Sequence, residues 1–302
     1  YDIESQIIAA FVNFEWNLSE KTKLVTGIRG EKVNYEYETN IEPGTKGRIQ
    51  VSPNRDDDFT EFSPKLAINH KINDELAIFA NYSRGNRAPQ TTDLYRIQSK
   101  QIPGGAKSEK LDSLEIGLRG NFSIFNLELV GFNMRKENYF FRDSQGFNVE
   151  NGKTTHRGFE INFLAEFNQF FQIENSTSFA EHEYDFDHSP NGIKSGNQID
   201  SAPELLANTR FIFTPKERTR IELEWEKIDS YPVDERNAHF YKGHNVFNLR
   251  AKTPINENLS IGIYVNNITD KSYANRADFA FGSYRYFVGQ KREFYLMLES
   301  KF

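Results

Sequence analysis

The 302-residue sequence carries 43 Asp and Glu against 37 Lys and Arg, a net charge of -6 with the two signs interleaved, so the basic stripe of a nucleic-acid binder is missing. Hydrophobic residues are 37 % and charged residues 26 %, and no stretch approaches the run of about 20 apolar residues that a membrane helix needs, which excludes a helical membrane protein. The absence of cysteine removes disulfide frameworks and thiolate metal sites, while an aromatic share of 14 %, with 27 Phe and 14 Tyr, argues against disorder.

The opening stretch, YDIESQIIAAFVNFEW, has no basic flank, no unbroken apolar run and no small-residue cleavage site, so any export signal is expected outside this sequence. From there, two-residue alternation recurs along the chain. SLEIGLRG sets Leu114, Ile116 and Leu118 opposite Glu115 and Arg119, and RGFEINFLAEF sets Phe159, Ile161, Phe163, Ala165 and Phe167 opposite Glu160, Asn162 and Glu166. RIELEWE sets Ile221, Leu223 and Trp225 against Glu222, Glu224 and Glu226; NVFNLRAK sets Phe247, Leu249 and Ala251 against Asn248, Arg250 and Lys252. The pattern predicts roughly thirteen strands and no long helix. They fall near 3–17, 22–38, 60–73, 75–84, 109–120, 124–142, 154–168, 170–184, 202–214, 217–229, 240–254, 257–270 and 288–302.

The connections alternate strictly in length. Short turns such as NLSEKT, IND, GNFS, FNQF, TPKER and PINEN alternate with long loops at 39–59, 85–108, 143–153, 185–201, 230–239 and 271–287. A soluble sandwich has no reason to sort its connections this way, whereas outer-membrane barrels put short turns on one side of the membrane and long loops on the other. The predicted fold is all-β, a transmembrane antiparallel up-and-down β-barrel. Aromatics near strand ends (Phe11, Phe14 and Trp16; Tyr35 and Tyr37; Tyr139, Phe140 and Phe141; Tyr284, Tyr286 and Phe287) would suit its interfacial girdles. An odd strand number leaves first and last strands parallel, and an uncovered edge in hydrocarbon would cost on the order of 30 kcal/mol. Residues 1–302 are therefore expected to be the carboxyl-terminal portion of one larger barrel domain.

No catalytic constellation is visible. His70, His156, His182, His188, His239 and His244 form no HExxH, there is no Gly-x-Ser-x-Gly, and PGGAKSEK lacks phosphate-loop spacing. The loop AEHEYDFDHSPNG (180–192) and the run Asp56, Asp57, Asp58 read as solvated acidic loops rather than metal sites. No enzyme activity, resident metal or cofactor is expected.

Six stretches, in order, resemble the barrel domain of TonB-dependent outer-membrane receptors: FANYSRGNRAPQTTDLY (79–95, with Asn86 where an aromatic is more usual), KSEKLDSLEIGLRG (107–120), HRGFEINF (156–163), SAPELLANTRFIF (201–213), VNNITDKSY (265–273) and GQKREFYLMLESKF (289–302). The last strand, with Phe294, Leu296, Leu298 and the terminal Phe302 on one face, resembles the insertion signal of outer-membrane barrels. The resemblance implies a Gram-negative outer-membrane location and roughly 22 strands around a plug, of which this chain supplies about the last thirteen. The plug, the first strands and the box that engages the TonB-type periplasmic partner have no counterpart here. Glu115, Arg119, Glu160, Glu222, Glu224, Arg250 and Lys65 would then face plug and lumen. The implied activity is energised import of a scarce nutrient captured at external loops, first of all a ferric siderophore, which YPVDERNAHFYKGHNVFNLR (231–250) and ADFAFGSYRYFVG (277–289) resemble most. Ligand contacts in this family come from aromatic and basic residues, which makes Arg84, Arg87, Tyr95, Arg96, Tyr184, Tyr231, His239 and Tyr241 the candidates. Haem, cobalamin and oligosaccharide stay open as ligands, and a passive channel or surface adhesin is the rival function.

Overall fold

The computed structural model describes residues 1–99, 101–216 and 218–301. Thirteen strands form one antiparallel sheet, each hydrogen-bonded to the next in sequence. They are β1 (Asp2–Asn17), β2 (Thr22–Glu38), β3 (Arg55–Lys71), β4 (Leu76–Arg87), β5 (Glu109–Asn121), β6 (Phe125–Arg142), β7 (Asn148–Glu166), β8 (Phe171–Tyr184), β9 (Leu205–Phe213), β10 (Arg220–Ile228), β11 (His244–Pro254), β12 (Leu259–Asn266) and β13 (Glu293–Ser300). All thirteen expected strands are present. β3 starts five residues earlier than its expected start, β13 starts five later, and β1 and β13 do not pair, so the sector is not closed.

Register explains why the alternation matters. Pairing partners share a face, and one row of them runs Trp16, Leu24, Ile68, Ala80, Ile116, Gly131, Phe159, Phe179 and Leu205 across β1 to β9. A second runs Phe125, Ala165, Ile173, Phe211, Leu223, Leu249, Val265 and Phe294 to β13. These rows lie on the outer face of the barrel wall, which is why so many large apolar side chains are exposed, Phe294, Leu296 and Leu298 among them. On β1 the outer apolar run spans Ile8 to Leu18. Ten residues at about 3.3 Å each, tilted by about 40°, make a band about 25 Å tall, the height of a barrel's apolar belt. Phe302 lies outside the described residues.

The opposite, inner face is polar. Arg250 bridges Glu222 at 2.8 Å and Glu224 at 2.7 Å, and Asn248 donates to Glu224 and Glu226. Arg119 pairs with Glu128 on the neighbouring strand. The expected inward residues Lys65, Glu115 and Glu160 lie on this face too.

Three of the short connections share one device. Asn73, Asn168 and Asn256 each accept, through Oδ1, backbone N–H groups two and three residues on, at 2.8–3.1 Å, an Asx turn that reverses the chain without help from tertiary packing. The long loops, all at the other rim, carry structure of their own. Gly44–Lys46 pairs with Ile49–Val51, which pairs with Ile97–Gln98; Thr91–Tyr95 is one helical turn; and Ala274–Ala280 pairs with Ser283–Val288.

The expected aromatic girdle divides. Phe14 and Trp16 are on the outer face, but Phe11, the partner of Arg29, is on the inner one. Tyr35 and Tyr37 are covered by the Thr91–Tyr95 turn, and Tyr139 stacks on Phe141, which packs against Tyr184 under the loop after β8. Loop folding, rather than the membrane interface, claims these rings.

Candidate ligand-binding site

At the long-loop rim a cavity of 690 Å³ opens between the 44–51 hairpin, the segment after the Thr91–Tyr95 turn and the end of β6. Its floor is aromatic. Tyr95 stacks on Tyr37 with ring centres 4.5 Å apart and planes 10° from parallel, and both side chains are 3 % exposed. Asp57 fixes this stack: it accepts from Tyr95 Oη at 2.8 Å and takes a two-pronged contact from Arg55 at 2.7 and 2.5 Å. The helical turn is held from its start, where the Gln90 N–H donates to Asp93 at 3.1 Å, and from below, where Tyr35 Oη donates to the Pro89 carbonyl. Burial, aided by Asp57, pushes the Tyr95 hydroxyl pKa well up, so it stays a neutral donor.

Four cations line the cavity, Lys46, Arg48, Arg96 and Arg142, and no carboxylate is among its lining residues, while Asp93 shares an adjoining hollow with Arg96 and Arg142. Gly47, at φ 65°, makes the left-handed turn that separates Lys46 from Arg48 at the hairpin tip. Among the described residues none of the four is in an ion pair, whereas Arg55, Arg84 and Arg87 are matched by Asp57, Asp112 and Glu109. The arrangement, apolar rings below and unmatched charge at the mouth, suits a ligand with an apolar scaffold and anionic oxygens.

Of the eight candidates, Tyr95 and Arg96 line this cavity. Arg84 lies on the outer face, bound to Asp112 at 2.8 and 2.9 Å, and Arg87 lies on the inner face, 2.9 Å from a Glu109 that also holds Lys136 at 3.0 Å. The other four belong to a second cluster, where the loops after β8, β10 and β12 meet. Tyr184 donates to Asp200 at 2.8 Å; Tyr231 and Tyr241 accept the N–H groups of Ala277 and Ala274 at 3.0 Å; and His239 stacks on Phe279 at 3.7 Å while its Nδ1 stands 3.0 Å from Asp234. Burial raises the pKa values of Asp200 and Glu235 there, the latter although both Ser144 N–H and O–H donate to it.

Sequence reading passed over Lys46, Arg48 and Arg142, and it took Asp57, with Asp56 and Asp58, for a solvated acidic run, whereas Asp57 is buried and bound to Tyr95 and Arg55. The signal for the first two was the Lys-Gly-Arg triplet in a long loop; for Asp57 it was parity, since it alternates with Arg55 and Phe59 on one face. Arg142 carried no signal beyond its place at a strand end.

Known proteins align with this geometry. The fold superposes on the ferric citrate transporter FecA with a TM-score of 0.81 at 16 % identity, covering 99 % of this chain and 45 % of that one. It superposes on the copper transporter OprC with a TM-score of 0.79 at 16 % identity, covering 100 % and 50 %. The metal-pseudopaline receptor CntO of Pseudomonas aeruginosa is 20 % identical over 269 residues, 86 % of this chain and 36 % of that protein. The chain thus spans half or less of the length of each of these relatives. The family model described as TonB dependent receptor-like, beta-barrel matches residues 1–268, and the chain belongs to that family.

Proposed function

We propose that this chain is the strand-rich wall and outer loops of a receptor in the Gram-negative outer membrane that binds an anionic metal chelate, foremost a ferric siderophore, and admits it with energy delivered by a TonB-type periplasmic partner. The observation that carries the reading is the pairing of the Tyr37–Tyr95 floor with four unmatched cations at the loop rim. A rim of free positive charge over stacked rings favours a chelate with carboxylate, catecholate or hydroxamate oxygens over an uncharged oligosaccharide. In this reading β1 and β13 pair with further strands of the complete receptor, a plug fills the lumen, and the ligand passes chemically unchanged. The siderophore, citrate and metal-complex names of the neighbours support the ligand class without selecting within it.

The test is uptake under iron limitation. Cells lacking the gene are offered a panel of radioactive-iron siderophores, ferric citrate, haem and cobalamin. Loss of uptake of one anionic ferric chelate, restored by the intact gene, is the expected result. Unchanged uptake of every ferric chelate, or loss confined to cobalamin, refutes the reading, and uptake unaffected by removing TonB would point to the passive channel.

A further inference from the structure

His156 on β7 and His182 on β8 are direct cross-strand partners on the inner face, and their Nδ1 atoms stand 2.8 Å apart. Their level is one where the outer face has already turned polar, with Arg157 bound to Glu181 and Glu183 on the far side. Two neutral imidazoles at this distance share one proton. With His156 protonated on Nε2 toward Thr154 Oγ1, 2.9 Å away on a residue only 1 % exposed, its Nδ1 accepts from the Nδ1–H of His182. The Nε2 of His182 has no partner among the described residues. The next member of the same row is Met134 on β6, the Cα partner of His156. Partners of this kind carry Cβ atoms about 5 Å apart, within reach of a flexible thioether.

We infer that His156, His182 and Met134 form a copper site on the inner wall, separate from the chelate cavity. Two imidazole nitrogens already 2.8 Å apart are close enough to share one metal ion at bonds of about 2.0 Å. A thioether beside two imidazoles favours copper, because sulfur is a poor ligand for harder ions. Binding needs a proton shift and a turn of both rings: the His182 proton moves from Nδ1 to the partnerless Nε2, and each ring swings its Nδ1 lone pair from the other ring toward the metal. Lys136, whose charge reaches His156 on this face, is held by Glu109 at 3.0 Å, which offsets part of its repulsion of the ion. Among the described residues no three His, Asp or Glu side chains group to hold a metal, so the thioether is what completes the set.

The complete receptor in detergent micelles is titrated with Cu(II)–glycine and followed by electron paramagnetic resonance and equilibrium dialysis. The expected spectrum shows coupling to two imidazole nitrogens, with first-site affinity at least about tenfold above that of the His156→Ala/His182→Ala double variant and no comparable zinc binding. Met134→Leu is expected to weaken Cu(I), measured against a chromophoric chelator, by about tenfold and Cu(II) by less. Equal copper binding by wild type and double variant, or a wild-type signal without two coupled nitrogens, overturns the inference. The wild-type spectrum decides alone should the double variant fail to insert. Chelate uptake is read separately, so failure here leaves the function above untouched.

Discussion

The wall's two faces make opposite demands on neighbouring residues, and Ile116 and Glu115 test them. Ile116 sits on the outer face between Ala80 and Gly131, four residues from Asp112, where the outer face of β5 becomes polar and Arg84 takes the carboxylate. Four residues at about 3.3 Å, tilted by about 40°, place Ile116 about 10 Å inside the apolar belt, near the middle of a band about 25 Å tall. A charge there is expected to cost about 3 kcal/mol, within the range for Arg at a barrel's midplane, or more than a hundredfold in the folded-to-unfolded ratio. Glu115, one residue away, pairs with Asn81 and Phe132 on the inner face and contacts Ser113 at 3.3 Å. Glu115→Arg there is expected to cost less than about 0.5 kcal/mol. The assay is urea-dependent folding of the complete receptor into liposomes, read by heat-modifiable gel mobility. A Glu115→Arg loss equal to that of Ile116→Arg, or an Ile116→Arg loss below about 1 kcal/mol, would refute the assignment of faces.

Replacing Arg48 or Arg96 with Gln should weaken an anionic chelate by about two- to fivefold each, since an exposed charge is worth about 0.5–1 kcal/mol, and the loss should shrink at high salt; a salt-independent loss would contradict the electrostatic reading. Tyr95→Phe removes the O–H donated to Asp57 while leaving the Arg55 contact, so about 1–2 kcal/mol of local stability should go, seen as faster hydrogen exchange over Thr91–Tyr95, and unchanged exchange would count against the stack's anchor. The raised acids Asp200 and Glu235 contribute loop stability that is complete below the ordinary carboxylate pKa values and lost as pH rises through their elevated ones. Exchange protection over 185–204, corrected for intrinsic rates, should therefore be greater at pH 5 than at pH 7.5, with Asp200→Asn, which keeps the acceptor for Tyr184, flattening the difference; greater protection at the higher pH would refute it.

The strands were legible because each residue of the wall obeys a demand of period two: Phe159, Ile161 and Phe163 must meet the apolar side, and Glu160 and Asn162 the wet one. Boundaries at the long-loop rim were less legible because the belt ends before the strands do. Above Asp112 and Arg157 the outer face is polar as well, so β3 and β7 continue from Arg55 and Asn148 without alternation to mark them. The aromatics misjudged as girdle show the same limit. Tyr35 and Tyr37 share the inner face with Arg29, which parity against Leu24 gives, but what covers them is the Thr91–Tyr95 turn, far along the chain, which parity does not reveal.

The fate of the arginines follows from that geometry and bears on the site. An arginine within a strand faces two neighbours whose identity depends on register, and here register supplies an acid: Asp112 for Arg84, Glu109 for Arg87, and Glu222 with Glu224 for Arg250. Such residues tie strands together, and their charge is already satisfied when a ligand arrives. At the hairpin tip the residue opposite Lys46 is the apolar Ile49, so Lys46 and Arg48, separated by a left-handed glycine, stay unmatched. Charge available for recognition therefore concentrates where the ladder stops, while equally basic residues inside the ladder serve the wall. This is why a search for Arg and Tyr near the motif at 79–95 reached Tyr95 and Arg96 but also gathered Arg84 and Arg87, which the ladder had claimed.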